Sequence, residues 1–481
     1  MNFDGDFVMS IGGRPVATST TLPVVNPATG KVFAAAPDCT PELLDRAVAA
    51  ARAAFPAWRD LGPDRRSALL KQAGDLMAAN AEPLKALLTR EQGKPLDDAA
   101  GEVAGAAYWL KSFARMDIPV TVGQSGPGRR TETHQMPLGV VGAIAPWNFP
   151  LLLAFWKIAP ALKAGNTVVV KPSPFTPLAT LKAVELLQSV LPAGVLNAVG
   201  GGDDLGPWLT AHPGIDKVSF TGSTATGRRV MASAAEGLKR ITLELGGNDA
   251  AIVLPDIDVD AMAPRIFWSA FRNSGQICVA TKRLYIHADI YDRLAAALVA
   301  YAASLPMGDG AMPDTKLGPV QNARQFERVK DIIEDCRAQG HRFLCGGDID
   351  GGRDGYFIPV TLVDDPPETS RVVREEAFGP VLPLLKFHDI DGAVARANDC
   401  EYGLGGSVWS GDPARAQAIA ERLETGTVWI NDVQILAPTV AFAGHKQSGF
   451  GVENGLDGLL EYCIPRTIVM PAIVMSTETE H

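Results

Sequence analysis

The side chains best suited to chemistry are gathered in a few short stretches. Cys278 sits in Gly275-Gln276-Ile277-Cys278-Val279, flanked by apolar residues and directly behind a helical pattern. A thiol becomes a nucleophile when its thiolate is stabilised or when a neighbouring base takes its proton. Without such company an unpaired cysteine is a small core filler. The company on offer is Glu244, in Leu243-Glu244-Leu245-Gly246-Gly247, where an acid interrupts an apolar run and two glycines admit a close backbone approach. Burial would raise its pKa toward neutrality and suit it to general-base work; a salt-bridged glutamate at a strand end is the plainer alternative.

Three further stretches end apolar runs with polar groups. In Pro146-Trp147-Asn148-Phe149-Pro150 a rigid turn carries Asn148, whose amide either faces a developing oxyanion or makes an ordinary asparagine turn. In Phe220-Thr221-Gly222-Ser223-Thr224 a glycine turn precedes a helix that begins near Gly227, and its backbone N–H groups are placed to face a pyrophosphate. This is not the G-x-G-x-x-G fingerprint of dinucleotide sites. Lys171, in Lys171-Pro172-Ser173, brings a cation to a strand end where sheet ligands sit, unless it is simply a solvated lysine.

The elements that must hold these groups are readable from period and punctuation. Leu44, Val48, Ala51 and Phe55 recur at helical steps behind Thr40 as N-cap and Pro41 at the first helical position. Further helices are expected over 65–79, 81–91 and 97–115. Short apolar runs at 140–145, 167–170, 218–221, 241–245 and 250–254 alternate with helix-length segments, the pattern of a parallel sheet covered on both faces. A second alternating series follows Asn248, with helices over 260–274, 291–304 and 325–339 and a strand over 283–287. Two segments fit neither series: a hairpin over 118–135 about Gly126-Pro127-Gly128, and the apolar tail 462–475. Unpaired strand edges invite pairing, so these two are expected to pair with each other and with another subunit.

Composition narrows the class. At 481 residues the chain has room for two or three domains. Its 47% hydrophobic and 20% charged content is that of an ordinary globular enzyme. A net charge of -10, with basic residues interspersed among acidic ones, argues against nucleic acid as a partner. No apolar run is long enough to cross a bilayer, and residues 1–13 lack a secretory pattern. Six cysteines without close pairing fit a reducing, cytoplasmic setting. Seven scattered histidines offer no metal spacing, so no metal is expected.

Taken together and in this order, the motifs resemble the aldehyde dehydrogenase superfamily, from Val25-Asn26-Pro27-Ala28-Thr29-Gly30 to Gln447-Ser448-Gly449. The resemblance implies an α/β fold with a Rossmann-like cofactor domain (1–114 and 138–246), an α/β catalytic domain (247–446) and a small β oligomerisation element with the tail (115–137 and 447–481). It implies Cys278 as nucleophile, Glu244 as base, Asn148 as oxyanion donor, and Lys157 and Glu453 as a proton relay. NAD or NADP would be held by Trp147, Lys171, Ser173, Gly222, Ser223, Leu245, Gly246, Glu376 and Phe378. The aldehyde pocket would comprise Phe149, Trp156, Ile277, Val279 and Phe442, apolar enough for aromatic or medium-chain aliphatic substrates. Arg272 and Arg283 are the cations that might instead hold a second carboxylate.

This sequence departs from the family pattern at Pro174, where NAD-preferring members often carry an acid, so NADP is also admitted. It departs again at Ala441-Phe442-Ala443-Gly444, which alters the pocket wall. The expected chemistry is a thiohemiacetal and then a thioester on Cys278, released by water. The rivals are a CoA-acylating dehydrogenase, which Glu244 argues against, and a cysteine hydrolase, which would need a histidine partner such as His287. A homodimer or homotetramer is expected.

Overall fold

The computed structural model of the chain describes residues 2–126 and 128–471. Two sheets dominate it. In the larger, the strands run in the order Arg14–Val16, Met9–Ile11, Leu196–Ala198, Thr167–Lys171, Val140–Ile144, Lys217–Thr221, Arg240–Glu244 and Gly449–Phe450. The five from Leu196–Ala198 to Arg240–Glu244 are parallel, with antiparallel strands added at both edges. The chain order reverses between Val140–Ile144 and Lys217–Thr221, which makes their carboxyl ends the natural ligand crevice of an open α/β sheet. Runs such as Val168, Val169 and Val170 are wholly buried because helices cover both faces.

The second sheet has the order Arg342–Cys345, Thr361–Asp364, Val381–Phe387, Thr281–His287, Asp249–Val253, Gly405–Trp409 and Thr427–Ile430, parallel except for its first strand. Only four residues, Leu245-Gly246-Gly247-Asn248, lie between the carboxyl end of Arg240–Glu244 and the amino end of Asp249–Val253. The two sheets therefore meet where the glycines sit.

The expected helices form with shifted ends: Pro41–Asp60, Pro63–Ala79, Ala81–Gln92 and Leu96–Ala114. Thr40 caps the first by accepting from the Leu43 N–H, with Pro41 behind it. Its deepest aromatic is Trp58, whose indole N–H donates to the Leu162 carbonyl, while Phe55 is half-buried. The helix expected over 260–274 stops at Phe271, because Asn273 and Ser274 take left-handed backbone angles. Gly227 lies inside the helix Thr224–Ala235 rather than at its start; a Cβ there would run into Leu245, so its bareness lets helix and strand pack closely.

A third, small sheet joins Cys463–Pro471 to Arg129–Pro137 over nine residues, with Thr121–Gln124 on the far side. The hairpin and the tail thus pair as the sequence suggests, although Pro127 and residues 472–475 lie outside the described residues. One boundary moves: the segment 447–481 was expected to serve the small element, yet Gly449–Phe450 pairs with Leu243 and Glu244 in the large sheet.

Candidate active site

Glu244 closes its strand 4% exposed, with neither carboxylate oxygen hydrogen-bonded among the described residues. Burial holds its pKa well above the usual carboxylate range; the Glu453 charge adds to the rise and Lys157 opposes it. A buried acid without a partner is costly, which favours use over packing.

Cys278 approaches from the second sheet, three residues before the strand Thr281–His287. Asn273, Ser274 and Gly275 carry φ of 50°, 54° and 76°, and a Cβ on Gly275 would clash with the Gly379 carbonyl. Such strain persists only where the surroundings impose it. Gln276 imposes part of it: its amide donates to the Asn273 carbonyl at 2.8 Å and its side-chain oxygen accepts from the Gln321 N–H at 2.8 Å. Burial pushes the Cys278 thiol up to about 12, helped by Asp249, Glu376 and Glu244 and opposed by Lys282. The thiol therefore needs a base, and Glu244 is among the charges that face it.

Asn148 lies in the turn after Val140–Ile144, just ahead of the helix Pro150–Ala164. Its amide gives one hydrogen to the Gln276 carbonyl at 3.0 Å, which leaves the second free beside the nucleophile loop. Its own backbone carbonyl accepts from Lys94 at 2.9 Å and from Asn273 at 3.1 Å. Lys94 in turn pairs with Glu102 at 2.5 Å, both wholly buried, and Glu102 accepts the Leu151 and Leu152 N–H groups that open the helix. Lys94, Glu102 and Asn273 were not anticipated; a charge pair eight residues apart within helical sequence looks like an ordinary surface pair until the fold buries it.

Lys157 and Glu453 meet at 2.5 Å, fully buried. Ser219 also donates to that Glu453 oxygen at 3.1 Å, and the Tyr462 hydroxyl donates to Ser219 at 3.2 Å. Glu453 is held by a two-way backbone bridge to Phe442, which joins the pair to the apolar wall. In that wall Trp156, Ile277, Val279 and Phe442 are buried in one cluster, with Phe149 and Cys278 half-buried against it. Trp156 stacks on Trp109 at 5.2 Å and meets Phe442 edge-on at 5.7 Å. Trp109 escaped the sequence reading because nothing local marks it. Arg272 pairs with Asp98 at 3.2 Å, and Arg283 is buried, donating to the backbone of Asn248, Arg396 and Ala397. His287 caps a turn through the Asp289 N–H instead of facing the thiol.

The residues fit a dinucleotide. Lys171 is 5% exposed, its only hydrogen bond among the described residues is a 3.5 Å contact to the Pro172 carbonyl, and burial lowers its pKa to about 8 against the pull of Asp203. Ser223 caps the helix Thr224–Ala235 after Gly222, at the carboxyl end of Lys217–Thr221. Trp147 and Phe378 meet edge-on at 5.3 Å, and Phe378 is held at φ 51°. Leu245 covers Gly227, and a side chain on Gly246 would collide with the Glu376 carboxylate, which accepts from the Gly247 N–H at 3.1 Å. Ser173 accepts from the Phe175 N–H at 3.3 Å, one residue from Pro174.

Comparison with known proteins agrees with this geometry. Residues 16–468 match the model of the aldehyde dehydrogenase family. A Pseudomonas protein named "Probable aldehyde dehydrogenase" is 44% identical over 468 residues, which cover 96% of this chain and 94% of that protein. The NAD+ complex of aldehyde dehydrogenase from Bacillus cereus is similar at a TM-score of 0.95 and 34% identity, covering 98% of this chain and 97% of that one. An E. coli NADP-dependent enzyme is similar at 0.93 and 36% identity, covering 97% and 98%. With two α/β sheets meeting at a cysteine, a glutamate and an asparagine, and with this likeness along nearly its whole length, the chain belongs to the aldehyde dehydrogenase family of NAD(P)-dependent oxidoreductases.

Proposed function

We propose that this enzyme oxidises an apolar aldehyde, aromatic or medium-chain aliphatic, to the carboxylic acid through a thioester on Cys278. The observation that carries this reading is the buried, unpartnered Glu244 carboxyl facing a buried thiol beside a wall of Trp156 and Phe442. The large sheet, with residues 1–114 and 138–246, would bind NAD(P), and residues 247–446 would present the nucleophile.

Cys278 loses its proton and attacks the carbonyl carbon, forming a thiohemiacetal whose oxyanion takes the free Asn148 amide hydrogen. When bound, NAD(P) supplies the hydride acceptor, held by Lys171, Glu376, Phe378 and the Gly222-Ser223 turn. Glu244 then takes a proton from water, the hydroxide attacks the thioester carbon, and the carbon–sulfur bond breaks to return the thiolate. Lys157 and Glu453 carry the proton onward from Glu244. Pro174 offers no carboxylate to repel a 2′-phosphate, so NAD and NADP both serve.

An acid positioned to activate water favours hydrolysis over transfer to CoA, and the engagement of His287 elsewhere disfavours a cysteine hydrolase. With Arg272 and Arg283 both occupied, semialdehydes bearing a carboxylate should be poor substrates. The small sheet exposes Val120, Val122, Ile464, Ile468 and Val469 and would join subunits into a homodimer or homotetramer. No helix among the described residues is long and apolar enough to cross a membrane, and a cytoplasmic setting suits the free cysteines.

The test is reduced-cofactor formation from a panel of aromatic, aliphatic and acidic aldehydes with NAD and NADP, with and without CoA. Turnover of apolar aldehydes without CoA is expected; turnover confined to acidic aldehydes, or dependent on CoA, would overturn the reading. Cys278→Ala should abolish turnover and leave cofactor binding intact.

A further inference from the structure

Lys282 is the second residue of the strand Thr281–His287 and only 6% exposed. The pleat sends Arg283 to the opposite face, where it binds the backbone of Asn248 and Ala397, and turns Lys282 toward the nucleophile. Its ammonium donates to the Cys278 carbonyl at 2.7 Å and to the Ile277 carbonyl at 2.8 Å, with the Ala280 carbonyl at 3.4 Å. On its other side it reaches Glu376 at 3.4 Å and lies 5.9 Å from the Phe378 ring centre.

These contacts close a ring. Glu376 also accepts from the Gly247 N–H at 3.1 Å, and a Cβ on Gly247 would stand 2.7 Å from the Cys278 carbonyl oxygen. The second glycine of Leu245-Gly246-Gly247 thus leaves room for the nucleophile loop, and Lys282 pins that loop from the far side. Burying an ammonium is costly, and no hydrophobic role requires one here.

We propose that Lys282 is a positioning residue for the nucleophile, whose single ammonium clamps the loop carrying Cys278 and ties that loop to Glu376. The proposal rests on the reading of Cys278 as the nucleophile. Four ionisable groups act on the thiol: Asp249, Glu376 and Glu244 disfavour its thiolate, and Lys282 alone favours it. A neutral residue at this position leaves three acids unopposed and frees two carbonyls. Its effect on thiol reactivity therefore has a definite sign. Loss of a purely structural prop would loosen the loop and speed the reaction of Cys278 with a small reagent, whereas loss of the cation slows it.

The experiment is iodoacetamide alkylation of the cofactor-free enzyme at fixed pH, with the Cys278 peptide quantified by mass spectrometry. Lys282→Met should slow alkylation about tenfold, the equivalent of one pKa unit, and Lys282→Arg should keep most of the rate. Lys282→Gln, which retains donors without charge, should follow Lys282→Met and serves in its place if the methionine variant fails to fold. A rate in the neutral variants that equals or exceeds that of the unsubstituted enzyme would overturn the proposal. Alkylation needs no turnover, so an active Cys278→Ala enzyme would overturn the nucleophile reading separately.

Discussion

Glu244 and Cys278 are each held in their neutral forms by burial, and each is asked to work ionised. Raising the pH relieves both, so the rate should climb through neutral into alkaline solution, and a pH–rate profile that falls over that range would contradict these roles. The same shift acts on stability. Because the folded-state pKa of Glu244 lies above its ordinary value of 4.5, the unfolded chain releases this proton first, and folding loses stability as pH rises from 4.5 toward the folded value. Glu244→Gln should therefore unfold at a higher temperature than the unsubstituted enzyme at neutral pH, with the difference vanishing in acid. The same variant should trap the thioester, visible as an added acyl mass. Asn148→Ala should lower kcat about 100- to 1,000-fold, the usual loss of one oxyanion donor, with little change in cofactor affinity.

Elements transmit these roles through their ends. The turn that carries Asn148 is braced by Lys94, which reaches its carbonyl, and by Glu102, which takes the first N–H groups of the helix Pro150–Ala164. Breaking a fully buried pair from one side strands a charge, so Lys94→Met alone should cost about 3–5 kcal/mol in denaturant unfolding. Removing both charges with apolar residues should cost less. A Lys94→Met loss within about 1 kcal/mol, the range of an exposed pair, would mean that the pair does not brace this turn. The strands and their order were legible because parallel strands buried on both faces read as continuous apolar runs, as at 168–170. Helix ends were less legible. The helix ahead of Cys278 stops at Phe271 because the packed loop imposes left-handed angles on Asn273 and Ser274, which neither residue type announces.

At the scale of the whole molecule, the small sheet is the element least explained by a single subunit. Its strand Cys463–Pro471 is exposed along most of its length, with Ile464, Ile468 and Val469 more than 40% open, and a bare apolar edge calls for a partner. Replacing Ile468 and Val469 by Asp should reduce the assembly seen by light scattering without unfolding the subunit; an unsubstituted enzyme that is already monomeric would remove the basis for this assignment. The sequence by itself determined the family, the α/β class and the cysteine, glutamate and asparagine on which the chemistry turns, since short motifs at strand ends carry their meaning locally. Only the tertiary structure decided what surrounds them. Lys94, Glu102, Trp109 and Lys282 reach the site from elements whose sequences mark none of them, because the burial that turns a lysine into a clamp or a tryptophan into a pocket wall arises when the two sheets meet.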